Sequence, residues 1–258
     1  MRVHYMNGAG NDFMVVDARG QKLDFPALAI QLCKLTGADG FMAVDESDTA
    51  DFRLHFYNSD GTRGEMCGNG ARCICRFAYE QGIAGEKMTV QTDAGIVPGW
   101  RISQDIYRVS LNLPSVVDLH RTENAAYVEL GDPGVPHSVT EIPGLAWDMR
   151  ETLRQTAKDL RHNPAFPKGA NANLYAWLDD TTVRILTYER GVEDYTLACG
   201  TGSGATAVTL WTQGKLPGGV VTVKNPGGDL TVTIQSNDGK ITALLLEGPT
   251  QAENVFDL

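Results

Sequence analysis

Short runs of alternating hydrophobic and polar residues dominate this chain, interrupted by stretches with helical spacing. Val3-His4-Tyr5-Met6 reads as a strand, Gly8-Ala9-Gly10-Asn11 as a turn, and Phe13-Met14-Val15-Val16-Asp17 as a second strand. The next apolar periodicity predicts a helix from Phe25 to Leu35, stopped by Gly37. Phe52-Arg53-Leu54-His55-Phe56-Tyr57 then alternates towards Asn58-Ser59-Asp60-Gly61. After it, Cys67-Gly68-Asn69-Gly70-Ala71 opens a helix with Ala71, Ile74, Cys75 and Ala78 on one face. Hairpins follow, with Met88-Thr89-Val90-Gln91 turning at Asp93-Ala94-Gly95 and the run closing at Leu111-Asn112-Leu113-Pro114.

The same order is then written again. Ala126 to Leu130 leads to a Gly131-Asp132-Pro133-Gly134 turn and a strand after Pro136-His137, and a helix is predicted from Met149 to Leu160, before Pro164. Thr182 to Tyr188 leads to Glu189-Arg190-Gly191, and Cys199-Gly200-Thr201-Gly202-Ser203 opens a helix with Ala207, Leu210 and Trp211 on one face. Val220 to Val223 turns at Asn225-Pro226-Gly227-Gly228 and again at Asn237-Asp238-Gly239, closing at Leu246-Glu247-Gly248-Pro249. From cysteine to closing proline is 47 residues in one copy and 50 in the other. An internal duplication follows. The expected fold is α/β of the α+β type, with two homologous domains, each a mostly antiparallel or mixed sheet or barrel wrapped around its post-cysteine helix. The domains are placed at 1–114 plus about 250–258, and at 115–249, with the active site in the cleft between them.

Composition narrows the function. The 258 residues carry a net charge of −10 with no cluster of Lys or Arg, which argues against a nucleic-acid or anionic-membrane partner. The N-terminus reaches glycine too early for a signal peptide, and no apolar run approaches the roughly 18 residues of a membrane helix, so a cytoplasmic location is expected. Five cysteines are an odd set, so thiols rather than a disulfide framework are expected. Only Cys67, Cys73 and Cys75 cluster, without the further ligands zinc needs. No metal or other cofactor is expected. A small-molecule amino-acid substrate is, and a homodimer is left open.

The repeated cysteine turn carries the chemistry. A thiol at a helix N-terminus sits where exposed N–H groups and the helix dipole favour its thiolate, and those N–H groups also hold carboxylates. A free cysteine more commonly just packs a tight turn, and Cys33, Cys73 and Cys75 are read that way. Cys67 and Cys199 differ because glycines expose both turns at equivalent places in two repeats. They suggest a two-base enzyme that moves a proton from one face of a carbon to the other. Asn11, Asn58, Asn69, Asn171, Glu189 and Arg190 stand beside glycine turns as substrate hooks, although an Asn there is often only a turn former. Arg190 suits a bidentate carboxylate clamp, with a surface ion pair as the alternative, and His137 lies on the corresponding edge. Gly202-Ser203-Gly204-Ala205-Thr206-Ala207 formally fits a dinucleotide fingerprint, but it lacks the preceding strand and the following acid.

Seven segments together resemble the diaminopimelate epimerase family of cofactor-independent amino-acid racemases and epimerases. They are Asn7 to Phe13, Asn58 to Gly61, Cys67 to Cys73, Gly134 to His137, Asn171 to Asn173, Glu189 to Gly191 and Leu197 to Gly202. The resemblance implies that Cys67 and Cys199 are the proton donor and acceptor, with His137 and Glu189 tuning or orienting them. It implies that Asn11, Asn58, Asn171, Glu189 and Arg190 hold the substrate, while the backbone of Gly68-Asn69 and Gly200-Thr201 holds the reacting carboxylate. Val135 departs from the Asn that many members carry before Pro-His, and Gly40 from the Gln that some carry after Ala-Asp. The implied reaction is LL-2,6-diaminopimelate to its meso isomer, in lysine and peptidoglycan precursor biosynthesis. A related two-cysteine racemase for proline or histidine is the alternative. A thiol redox protein would need a resolving cysteine near either turn, and a noncatalytic amino-acid binder would have no need of the thiols.

Overall fold

The computed structural model describes residues 1–64 and 67–257; Leu258, the last residue of the expected tail, lies outside them. The chain divides into two compact units, Met1–Ser110 with Glu247–Leu258, and Leu111–Leu246.

In the first unit, β1 (Arg2–Gly8) pairs antiparallel with β2 (Asn11–Asp17). Helix α1 (Phe25–Thr36) carries the chain across to β3 (Gly40–Asp45), parallel to β2, and β4 (Phe52–Asn58) returns antiparallel. Helix α2 (Gly68–Glu80) is the next crossover, to β5 (Lys87–Thr92), parallel to β4. The strands β6 (Gly95–Arg101) and β7 (Ile106–Leu111) complete an antiparallel meander. Each crossover has a local cause. Asp24 caps α1 by accepting the Ala27 N–H at 3.2 Å, and Gly37 ends it in the left-handed conformation at φ 78°.

The second unit repeats the plan. β8 (Pro114–Asp118) and β9 (Ala126–Gly131) pair antiparallel, as do β9 and β10 (Gly134–Glu141). A 3-10 turn (Trp147–Arg150) and α3 (Arg154–Arg161) lead to β11 (Asn171–Asp179), parallel to β10, and β12 (Thr182–Glu189) returns antiparallel. After β13 (Asp194–Thr196), α4 (Gly200–Thr212) crosses to β14 (Val220–Asn225), parallel to β12, with β15 (Gly228–Asn237) antiparallel beyond it. The chain returns to the first unit within β16 (Lys240–Pro249). There β17 (Gln251–Asp257) pairs antiparallel with β1, the position that β8 takes beside β9. Arg76 of α2 anchors this return, donating to the Thr250 carbonyl at 2.6 Å and to Asp105 at 2.9 Å.

Two sequence expectations need correction. The helix expected from Met149 to Leu160 is split. Arg184 of β12 donates to the Leu145 carbonyl at 2.9 Å and lies over the Trp147 ring, pinning the first turn before the regular helix starts at Arg154. The strand expected after His137 already opens at Gly134, so His137 sits inside the sheet.

Hydrophobic clusters form where α1 and α3 pack on their strands, and the two post-cysteine helices are buried as well. Every α2 residue from Gly68 to Ala78 is buried, as are Gly200 and Gly202 to Leu210 of α4. Helix α4 is rich in hydroxyls, yet its burial costs little. Ser203, Thr206, Thr209 and Thr212 each donate to the carbonyl four residues back, at 2.8–3.0 Å. Small side chains along both helices let the surrounding strands approach closely. Cys33, Cys73 and Cys75 are thiols within the core, as expected. No described helix is long and apolar enough to cross a membrane.

Candidate active site

Both cysteine turns are built alike. Cys67 is the N-cap of α2 with φ −120° and ψ 121°, and Cys199 is the N-cap of α4 with φ −118° and ψ 111°. The extended cap residue followed at once by glycine lets each chain turn sharply from loop into helix. The first backbone bonds within the helices run from Ala71 N–H to the Cys67 carbonyl at 2.7 Å and from Ser203 N–H to the Cys199 carbonyl at 2.9 Å. The N–H groups of Gly68 and Asn69, and of Gly200 and Thr201, therefore precede the helix ladder, at the end where the dipole favours an anion. At Cys199 the sulfur itself serves as the cap, accepting from Gly202 N–H at 3.3 Å, with Thr201 Oγ1 3.5 Å away.

In the first unit a chain of amides reaches the Cys67 turn. Asn69 Nδ2 donates to Asn11 Oδ1 at 2.6 Å, and Asn11 Nδ2 donates to Asp39 Oδ2 at 3.2 Å. Asp39 also accepts from Asp12 N–H at 3.0 Å, fixing the start of β2. Asn58 ends β4 in register with Gly40, and its exposed side chain donates to Thr62 Oγ1 at 2.9 Å. Asn11 and Asn69 are thus joined directly, and Asn58 is held by its own turn.

In the second unit the parallel pairing of β10 and β11 places His137 opposite Asn171. Asn171 Oδ1 accepts the Arg190 backbone N–H at 2.8 Å, and the Arg190 guanidinium donates to the Lys168 carbonyl at 3.2 Å. Lys168 is itself tied by its ammonium to the buried carboxylate of Glu129 at 2.6 Å. Glu189 accepts from Thr196 Oγ1 at 2.5 Å. Desolvation pushes the Glu189 pKa up, while hydrogen bonds from Thr196 and Cys199 pull it back. His137 is wholly buried, and loss of hydration with the nearby Arg190 charge lowers its pKa to about 3. It is therefore a neutral imidazole, with Nδ1 3.2 Å from Asn173 Nδ2.

Asn173 was not singled out from the sequence, although it ends the Asn171-Ala172-Asn173 segment. Its amide joins the Ser138 carbonyl at 2.9 Å, the Asn171 carbonyl at 3.1 Å and the Thr187 hydroxyl at 3.0 Å, besides His137. The i, i+2 spacing from Asn171 in a strand puts both amides on one face, and that was the signal available. Thr196 and Lys168 carried no such signal, because Thr196 meets Glu189 only through the pairing of β12 with β13, and Lys168 bonds to Arg190 and Glu129 in distant segments.

The diaminopimelate epimerase family model matches residues 3–107 and 131–251. A diaminopimelate epimerase of Flavobacterium psychrophilum is 33% identical, with 100% of this chain and 99% of the relative covered. One of Archaeoglobus fulgidus is 34% identical, covering 100% and 96%. This chain belongs to the diaminopimelate epimerase family. The wider fold is shared at much lower identity. A phenazine biosynthesis PhzF-family protein of Bacillus anthracis superposes with TM-score 0.77 at 15% identity, covering 100% of this chain and 98% of that one. A hydroxyproline epimerase of Agrobacterium vitis gives 0.68 at 16% identity, covering 100% and 90%. Of the residues anticipated from the sequence, Asn11 and Asn69 are bonded to each other beside the Cys67 turn and Asn171 holds the Arg190 backbone, while Asn58 bonds within its own turn. Among the described residues, no group of three or more His, Cys, Asp or Glu side chains has the arrangement of a metal site.

Proposed function

We propose that this protein inverts one α-carbon of LL-2,6-diaminopimelate, giving the meso isomer, by a two-base thiol/thiolate mechanism without pyridoxal phosphate, metal or nicotinamide. The reaction would serve lysine and peptidoglycan precursor synthesis in the cytoplasm. The observation that carries the reading is the matched pair of cysteines, each capping a buried helix with nearly the same backbone angles.

An amino-acid Cα–H is barely acidic at neutral pH, so its removal needs stabilisation of the charge that spreads into the carboxylate. The N–H groups of Gly68, Asn69, Gly200 and Thr201 are donors suited to that charge, each contributing about 3 kcal/mol by analogy with oxyanion holes. One cysteine acts as thiolate base on one face, and the other, as thiol, returns a proton to the opposite face. The reverse reaction exchanges their roles, so the resting enzyme holds one thiol and one thiolate. A helix N-terminus lowers a cysteine pKa to about 4–7, and a second nearby negative charge opposes losing both protons. Glu189, in contact with Cys199, and the neutral His137 then orient and tune the pair rather than carry the proton from carbon. Arg190 and Asn171 recognise the distal amino-acid group of the substrate.

The test is solvent deuterium incorporation at the α-carbon of LL-diaminopimelate, proline and histidine, after exhaustive chelation and with no cofactor added. Incorporation and inversion with diaminopimelate alone support the reading. Turnover of proline or histidine instead, or activity only when a cofactor is supplied, overturns it.

A further inference from the structure

Arg72 lies wholly buried in α2, one turn after Cys67, and no carboxylate among the described residues pairs with it. Its Nη1 donates to the Gly68 carbonyl at 3.2 Å and its Nη2 to Asn69 Oδ1 at 3.0 Å, while Nε has no partner among the described residues. Burying an unpaired guanidinium is unfavourable, and a hydrocarbon side chain would fill the same space at lower cost. The charge therefore needs a reason, and its two bonds supply one.

Building on the function proposed above, we infer that Arg72 is a positioning residue for the carboxylate site at the start of α2, polarising the Gly68–Asn69 peptide and setting the direction of the Asn69–Asn11–Asp39 amide chain. A peptide unit is planar and trans, so its carbonyl and N–H point opposite ways. A cation bonded to the Gly68 oxygen draws electron density through that unit and makes the Asn69 N–H a stronger donor on the far side. The side-chain contact acts in parallel. Because Arg72 can only donate, Asn69 must turn its oxygen inward and its NH2 towards Asn11. Asn11 then accepts with its oxygen and presents its own NH2 to Asp39. Each amide has one orientation, running from the buried cation to the exposed carboxylate, and the side chains flanking Cys67 are held before substrate arrives.

Arg72→Met keeps the bulk and removes the charge, and Arg72→Lys keeps the charge but not the fork. The readouts are kcat and KM with LL-diaminopimelate, the thermal midpoint, and the side-chain amide signals of Asn11 and Asn69 in protein labelled with 15N-asparagine, assigned with Asn11→Ser and Asn69→Ser. The Met variant should lose about 10-fold in kcat, less than the roughly 100-fold of losing an anion-hole donor outright, because the Asn69 N–H is weakened and not removed. Its two Asn amide signals should shift or broaden, and Lys should restore part of kcat. Parent-like kcat and amide signals in the Met variant overturn the inference. So does loss of kcat that only follows a lowered midpoint while the amide signals stay in place. If the Met variant does not fold, the Lys variant decides: reduced kcat at a parent-like midpoint supports the role, and parent-like kcat and amide signals refute it. Should the unaltered protein invert no diaminopimelate, the function fails, and the amide signals alone still judge Arg72.

Discussion

Gly70 and Gly202 occupy the same place in the two repeats, three residues after Cys67 and Cys199, and the structure predicts responses of different size to the same substitution. A Cβ at Gly202 would run into Asn173 Oδ1 and stand 3.2 Å from Cys199 Sγ. Asn173 cannot yield, because its fully buried amide is fixed by Ser138, Asn171, Thr187 and His137. Either α4 moves or a buried amide loses its partners. Overpacking and an unpaired buried group, offset in part by the better helix propensity of alanine, give Gly202→Ala a net destabilisation of about 2–4 kcal/mol. Displacing the cap of Cys199 by an ångström should also cut kcat/KM about 100-fold. At Gly70 the nearest atom to a new Cβ is Met42 Sδ at 3.1 Å, the end region of a flexible side chain, so Gly70→Ala should stay within about 1 kcal/mol of the parent. Gly218, with nothing within 4 Å, is the control, and its alanine variant should change stability by less than about 0.5 kcal/mol. Urea unfolding and the epimerisation assay on the three variants check the series. A Gly202→Ala protein as stable and active as the parent refutes the claim that Asn173 is an unyielding support for the Cys199 turn.

Two further outcomes follow from titrating groups. Native His137 stays neutral down to about pH 3, whereas the unfolded imidazole takes its proton near its ordinary pKa of about 6.5, so this residue makes stability fall as pH drops from 6.5 towards 3. His137→Gln should remove up to about 1.4 kcal/mol per pH unit of that slope, read from urea unfolding across the window; an unchanged slope contradicts a buried neutral imidazole. Thr196→Val removes a hydrogen bond that holds the Glu189 pKa down, so the acid limb of the kcat/KM profile should move to higher pH, and no movement would show that Glu189 does not govern that limb.

The duplication and the cysteine turns were legible because they are local. Turn glycines, alternating strands and a cysteine before glycine announce themselves within a few residues, and α1 carries its own start and stop at Asp24 and Gly37. What escaped depended on partners far along the chain. β3 reads Gly-Phe-Met-Ala-Val, an apolar run buried on both faces, so no alternation marks it as a strand. The split before α3 is set by Arg184, more than thirty residues later. The candidate site divides the same way. Cys67, Cys199 and the residues beside the turns were visible, while Asn173 and Thr196 acquire their contacts only when the strands from β10 to β13 pair, and Lys168 only when the loop before β11 meets Arg190.

The central claim is that each face of the substrate carbon has its own cysteine. The most direct test is α-deuterium incorporation and inversion by Cys67→Ala and Cys199→Ala in heavy water, with LL- and meso-diaminopimelate supplied separately and folding checked by circular dichroism. The two-base account predicts that both variants fold and neither inverts either isomer, since one face lacks its base or its acid. Near-parent inversion by either single variant would contradict it.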